Sequence, residues 1–150
     1  MTTIKTDICI IGAGSGGLSI AAGAVQMGAK VVLIEGHKMG GDCLNYGCIP
    51  SKALIASAKH AHMPIEGTAF GVQEIWPDVD YAAAKDHVQS VVDAIAPVDS
   101  QDRFEALGCT VIRDHARFIS ENEVQAGDIV VQARRIVIAT GSGPLVPPID

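Results

Sequence analysis

The chain has no apolar run approaching the ~18 residues of a membrane span. Its first residues, Met-Thr-Thr-Ile-Lys-Thr-Asp, lack the charged-then-apolar pattern of a secretion signal. No basic run occurs either. Lys and Arg number 11 against 17 Asp and Glu, a formal charge of −6 that argues against a nucleic-acid partner. Internal repeats and low-complexity tracts are also missing. These absences leave a cytoplasmic protein, without membrane or nucleic-acid partners, as the expectation. Over 150 residues, 48% hydrophobic and 19% charged, the composition suits one globular domain with a sizeable core and excludes disorder. Cysteines are few, four in all. A reducing compartment disfavours a structural disulfide, so paired cysteines there are catalytic or metal-binding.

Two of the four, Cys43 and Cys48, lie in the densest stretch, Gly40-Gly-Asp-Cys-Leu-Asn-Tyr-Gly-Cys-Ile-Pro-Ser-Lys52. Five positions along one ideal helix would turn their side chains apart, so a pairing requires Cys43 to leave the helix that carries Cys48. Gly40, Gly41 and Gly47 permit an irregular turn for Cys43. Pro50 suits a first helical turn and biases Ile49 away from helical dihedrals, so the helix is expected to begin near Pro50. That places Cys48 at a positive helix end, where a thiolate is stabilised, with Lys52 a turn further on.

Asp7–Ile11 reads as a strand buried on both faces. It runs into Gly12-Ala-Gly-Ser-Gly-Gly17, which fits G-x-G-x-x-G, and a helix follows with Leu18, Ala21, Ala22 and Val25 on one face and Gly28 as its stop. Lys30–Ile34 is a second strand, ending at Glu35, 23 positions after Gly12 and close to the ~20 expected of a ribose-binding acid. Gly12 allows the tight turn, Gly14 lets a diphosphate touch backbone, and Gly17 lets helix and strand pack closely. Gly12, Gly14, Ser15, Gly16 and Gly17 are therefore candidates to hold a diphosphate on the helix N-terminus, with Glu35 on a ribose. A carboxylate there repels a 2′-phosphate.

Further on, a helix is expected from Pro50 to about Ala61, breaking at Pro64, then a connector from Met63 to Pro77. Asp80 caps a second helix with an apolar stripe of Val88, Val91, Val92 and Ile95, either core or a subunit contact. After Pro97, Asp99 or Ser100 caps a shorter continuation that Gly108 ends. Cys109–Ile112 is a buried strand, and Cys109, like Cys9, reads as a small core residue. Ala116–Ile119, Val124–Ala126 and Ile129–Val131 suggest an antiparallel meander, with Arg134 and Arg135 solvated beside it. Ile136–Ala139 is a final buried strand leading into Thr140-Gly-Ser-Gly-Pro144, and Pro147-Pro148 marks a chain leaving the domain.

The Gly40–Lys52 stretch closely resembles the redox-active disulfide motif of the FAD-dependent pyridine nucleotide-disulfide oxidoreductases, a family that includes dihydrolipoamide dehydrogenase, glutathione reductase and mercuric reductase. Thr140–Pro144 resembles that family's A-T-G-S-x-P motif, and the resemblance covers essentially the whole chain. It implies an α/β fold: a Rossmann-like FAD-binding domain with a parallel sheet, flanking helices and a small antiparallel β-meander. It implies FAD as cofactor, NAD or NADP as its redox partner, and a small-molecule disulfide, dithiol or metal ion as substrate. Carried onto matching positions, Cys48 is the sulfur beside the flavin, Cys43 the interchange thiol, and Lys52 a positive charge near the flavin. Gly41, Asp42, Thr140 and Gly141 join them as cofactor-binding positions. Asp42 stands where many members carry Thr, and its carboxylate is expected to raise the neighbouring thiol's pKa. Ser51 matches the lipoamide and mercuric types better than glutathione reductase. Family members are several times longer, so residues 1–150 are expected to form the N-terminal part of the FAD domain of a longer, homodimeric flavoprotein. Two other classes stay open. One is a plain dinucleotide-binding module with incidental cysteines. The other is a small metal-binding protein, for which Cys43, Cys48 and His37 offer only three ligands where zinc usually takes four.

Overall fold

The β-branched run that ends at Ile11 lies at the centre of a six-stranded sheet in the computed structural model, which describes residues 2–143 and 145–149. In chain order the strands are β1 (Thr2–Ile11), β2 (Val31–Ile34), β3 (Thr110–Ile112), β4 (Ala116–Phe118), β5 (Glu123–Ala126) and β6 (Ile129–Ile138). The helices are α1 (Ser15–Gln26), α2 (Gly41–Asn45), α3 (Cys48–Glu66), α4 (Tyr81–Ile95) and α5 (Gln101–Ala106). The strand order is β3-β2-β1-β6-β5-β4. The first four are mutually parallel, while β5 and β4 continue the sheet antiparallel. The expected α/β, Rossmann-like architecture with an appended meander is therefore the one observed.

Alternation along the parallel strands feeds two cores. Ile10, Val31 and Leu33 pack with Leu18 and Ala21 of α1 and with Phe104 of α5. Cys9, Val32 and Ile34 face the other way and join Val124, Ala126, Val131 and Ala133 of the meander. A strand apolar on both faces is what a parallel sheet covered on both sides demands. Cys9 and Cys109 are core residues, as their settings suggested, and burial pushes the Cys9 thiol up to about 11.

Several boundaries differ from the sequence expectation. β1 starts at Thr2, and the expected strands Ile129–Val131 and Ile136–Ala139 are one continuous strand, β6. The reason is pairing: β1 and β6 run in parallel register from Thr2↔Ile129 to Ile11↔Ile138, which carries Arg134 and Arg135 through the middle of the strand. Arg134 is exposed there and pairs with Asp7 at 3.3 Å. Nor is the end of β6 buried, since Ile136 and Val137 are half-buried and Ile138 is 68% exposed. α3 begins at Cys48, ahead of Pro50, and passes through Pro64 before ending at Glu66. Pro50 still falls in the first turn, where N–H groups have no intrahelical partner. Pro64 removes one bond inside the last turn, a local loss that the helix survives.

Asp80 caps α4 by accepting from Ala83 N at 3.0 Å, and Ser100 caps α5 by accepting from Arg103 N at 3.2 Å. The stripe of Val88, Val91, Val92 and Ile95 is half-buried, with α4 packed on α3. No helix among the described residues is long and apolar enough to cross a membrane.

Candidate functional site

In an open α/β sheet, ligands bind beyond the carboxyl ends of the strands where neighbouring connections diverge. Here that point lies between β1, whose chain turns away toward β2, and β6 on its other side. Gly12 follows β1 and Ala139 follows β6, and the two approach closely: Gly12 has φ +105°, and a Cβ on it would meet the Ala139 carbonyl oxygen at 2.2 Å. A Cβ on Gly17 would lie 1.9 Å from the Gly12 carbonyl oxygen, so α1 can start this close to the strand only with glycine there. Among the described residues no side chain caps α1, and its first turn carries no acid, which leaves its N–H groups free for an anion.

The third wall is the thiol-bearing loop. Gly40 donates to the Ala13 carbonyl at 2.9 Å, and Gly14 and Gly40 form an isolated parallel bridge. Gly41 has φ +56°, and a Cβ there would meet Gly14 Cα at 2.6 Å. Asn45 fixes the loop by donating to the carbonyls of Met39 at 3.0 Å and Gly41 at 2.8 Å, while Leu44 is buried beneath it. Together the three walls enclose a cleft of about 580 Å³.

Of the predicted cofactor residues, Gly12, Gly14, Glu35, Gly41, Asp42, Thr140 and Gly141 line this cleft. Gly17 supports it from beneath, and Ser15 and Gly16 stand exposed at the start of α1. Cys43, Cys48 and Lys52 lie outside the lining, although Cys43 directly follows Asp42. Pro144, the last residue of the Thr140 motif, lies outside the described residues. Sequence reasoning did not assign His37, Lys38, Tyr46 or Ser142 to the cleft. His37, Lys38 and Tyr46 carry no local signal, apart from the first two following Glu35, whereas Ser142 is the serine of the Thr140–Pro144 motif. A smaller hollow of about 220 Å³ shares Gly12, Glu35, His37 and Thr140 with the cleft and is closed by Asp114 and His115. The His37 and His115 rings meet there edge to face, with centroids 4.8 Å apart.

Glu35 is more than a ligand candidate. It is 8% exposed, and its carboxylate accepts from Ala13 N at 2.6 Å and His37 N at 2.7 Å. It thus ties the glycine loop to the loop after β2. Each carboxylate oxygen has a second acceptor site, so a ribose can still be bound.

Cys43 ends the first turn of the short α2 and Cys48 opens α3, so the two do belong to different helices. The break between them is organised by Asp42, whose carbonyl accepts from Tyr46 N at 2.9 Å and Gly47 N at 2.6 Å. Both cysteines are free thiols, Cys43 half-buried and Cys48 exposed. Cys43 lies above the usual thiol range chiefly because its side chain hydrogen-bonds that of Cys48, and secondly because it is partly desolvated; Lys52 pulls the other way. The rise anticipated from Asp42 has this other origin, since the carboxylate folds over Gly47, where a Cβ would lie 2.6 Å from Oδ2.

A glycine loop at the switch point of a parallel sheet, with an acid ending the second strand, defines a Rossmann dinucleotide-binding domain, here with a thiol pair beside the site. The pyridine nucleotide-disulphide oxidoreductase family model matches residues 6–150, and the chain belongs to that family. Dihydrolipoyl dehydrogenase 2, chloroplastic, of Arabidopsis thaliana is 37% identical over 144 residues, covering 94% of this chain and 25% of the relative. Mercuric reductase of Lysinibacillus sphaericus is 32% identical over 144 residues, covering 96% and 26%. A solved structure of the flavoprotein disulfide reductase RclA from Escherichia coli, a Cu(II) complex, superposes with TM-score 0.78 at 27% identity, covering 97% of this chain and 31% of that one. The chain thus spans between a quarter and a third of the length of these relatives.

Proposed function

We propose that residues 1–150 are the N-terminal part of an FAD-binding domain and carry the redox disulfide of an NAD(P)H-dependent disulfide or mercuric reductase. The observation that carries this reading is the convergence of the glycine loop, Glu35 and the Gly40–Asp42 loop on one cleft, with Cys43 the next residue along. The bared N-terminus of α1 suits a diphosphate, and Glu35 suits a ribose. The backbone at Gly141, where an added Cβ would meet nothing within 4 Å, leaves room for a ligand to pass. FAD bound there would supply the two-electron relay between a nicotinamide and the thiol pair.

On the protein side, Cys43 and Cys48 form one S–S bond on oxidation, releasing two protons and two electrons, and return to thiols on reduction. Cys48 is the cofactor-side sulfur and Cys43 the interchange thiol that meets substrate. Lys52 places a positive charge on the same helix as Cys48 and favours negative charge beside it. The substrate is a small disulfide, a dithiol or a metal ion, and the whole protein is a cytoplasmic homodimer.

Thiol counting tests the pair: mild oxidation should remove two thiols, with mass mapping placing the bridge at Cys43–Cys48. A bridge that included Cys9 or Cys109 would sink the assignment. Retention of FAD on gel filtration, with quenched flavin fluorescence, tests the cleft; a chain that leaves the flavin free refutes it.

A further inference from the structure

Among the described residues lining the cleft, the fixed charges are two carboxylates, Glu35 and Asp42, and one cation, Lys38. A dinucleotide brings a diphosphate with about two negative charges into that setting, in a chain whose net charge is already −6. The helix N-terminus supplies partial positive charge only. Lys38 is therefore the one full positive charge within the lining.

Its backbone is held by hydrogen bonds, its side chain by one contact with an exposed ring. The loop that carries it is pinned by Arg113, which donates to the His37 carbonyl, and by Asn45 on the Met39 carbonyl. Gly41 N adds a bond to the Lys38 carbonyl at 3.2 Å, and Gly40 N holds the loop to Ala13. The Lys38 ammonium rests 5.1 Å from the centroid of the Tyr46 ring, itself 67% exposed at the cleft wall. A lysine is a point charge on a flexible stem, and a contact with an exposed ring is weak enough to exchange for a phosphate oxygen.

We infer that Lys38 is the residue that neutralises the diphosphate of the bound dinucleotide, resting on Tyr46 while the cleft is free and moving onto the phosphates when it is filled. This rests on the dinucleotide reading above and names its charge partner. Lys38 is exposed, so replacing it leaves the fold intact.

Affinities of the chain for FAD, ADP and adenosine, each as wild type, Lys38→Ala and Lys38→Arg, test it. Lys38→Ala should weaken FAD and ADP by roughly tenfold at low salt, the scale of one lost hydrogen bond to a charged group. It should flatten their salt dependence and leave adenosine, which has no phosphate, unchanged. Lys38→Arg should restore most of the loss. Tyr46 ring resonances should shift further on ADP addition to wild type, where the ammonium leaves the ring as the cleft is filled, than in a Lys38→Ala chain that has bound ADP. If wild type binds all three ligands and Lys38→Ala binds FAD and ADP equally well, the inference falls and the cleft reading stands. An adenosine loss equal to the ADP loss also overturns it. If wild type binds neither FAD nor ADP, the cleft reading itself falls and takes this inference with it.

Discussion

Replacing Glu35 by Ala separates two roles that a ribose-binding acid usually confounds. In the free protein the carboxylate holds the N–H groups of Ala13 and His37 at 2.6 and 2.7 Å. Ala13 is 0% exposed, so without Glu35 its N–H has no water to turn to. An orphaned buried donor costs about 1–3 kcal/mol. The His37 N–H lies on an exposed residue and water can replace its partner, so it adds about 0.5–1 kcal/mol. The sum, roughly 1.5–4 kcal/mol, would lower the melting temperature of a 150-residue domain by on the order of 10 °C. The assay is urea denaturation of the ligand-free chain, with Glu66→Ala as control. Glu66 is exposed and, among the described residues, pairs with His62 at 3.3 Å, so that variant should match wild type. A ligand-free Glu35→Ala chain as stable as wild type would refute the argument that Glu35 holds the loops. FAD affinity, measured separately, should fall in Glu35→Ala and stay level in Glu66→Ala; equal losses would count against the Rossmann assignment.

Gly41→Ala forces a Cβ to 2.6 Å from Gly14 Cα at a left-handed backbone; it should cost roughly 2–4 kcal/mol in denaturant and lower FAD affinity. Unchanged affinity would mean that the loop does not shape the cleft. Alkylation at neutral pH should reach exposed Cys48 first and half-buried Cys43 later, with Cys9 and Cys109 modified only on unfolding; early labelling of Cys109 would contradict its burial. Cys48→Ala removes the hydrogen bond that chiefly raises Cys43, so the Cys43 pKa, read from its alkylation rate against pH, should move down. For Cys9, burial raises the folded pKa to about 11 from an ordinary value of 9.0. Its contribution is fully present below pH 9 and is lost as pH rises toward 11. Wild type should shed about 2–3 kcal/mol more than Cys9→Ala across that window; parallel pH profiles would refute it.

What was legible in the sequence was local and periodic. Gly12, Gly14, Gly17 and Glu35 stand at spacings set by one turn, one helix and one strand, and all four fall where the spacing put them. The continuity of β6 was not legible, because Arg134 and Arg135 interrupt its apolar pattern and only the partner strand β1 carries the ladder past them. α2 was equally hidden: a five-residue helix that opens on glycine has no period of its own and is held by Asn45 and buried Leu44. Lys38 and Tyr46 reach the cleft from separate loops. Their meeting follows from the tertiary packing of glycine on glycine, which leaves no mark on the residues it brings together.

That packing also explains why the thiol turn sits where it does. Gly41 lies against Gly14, so the backbone just before Cys43 is braced on the nucleotide loop itself. Asp42 then lines the cleft, while its carbonyl gathers the N–H groups of Tyr46 and Gly47 and so sets the break between α2 and α3. The break is what puts two cysteines five positions apart on different helices; on one helix they would point away from each other. The cleft lining and the first of the two thiols are therefore a single residue apart, Asp42 on the cleft wall and Cys43 directly after it.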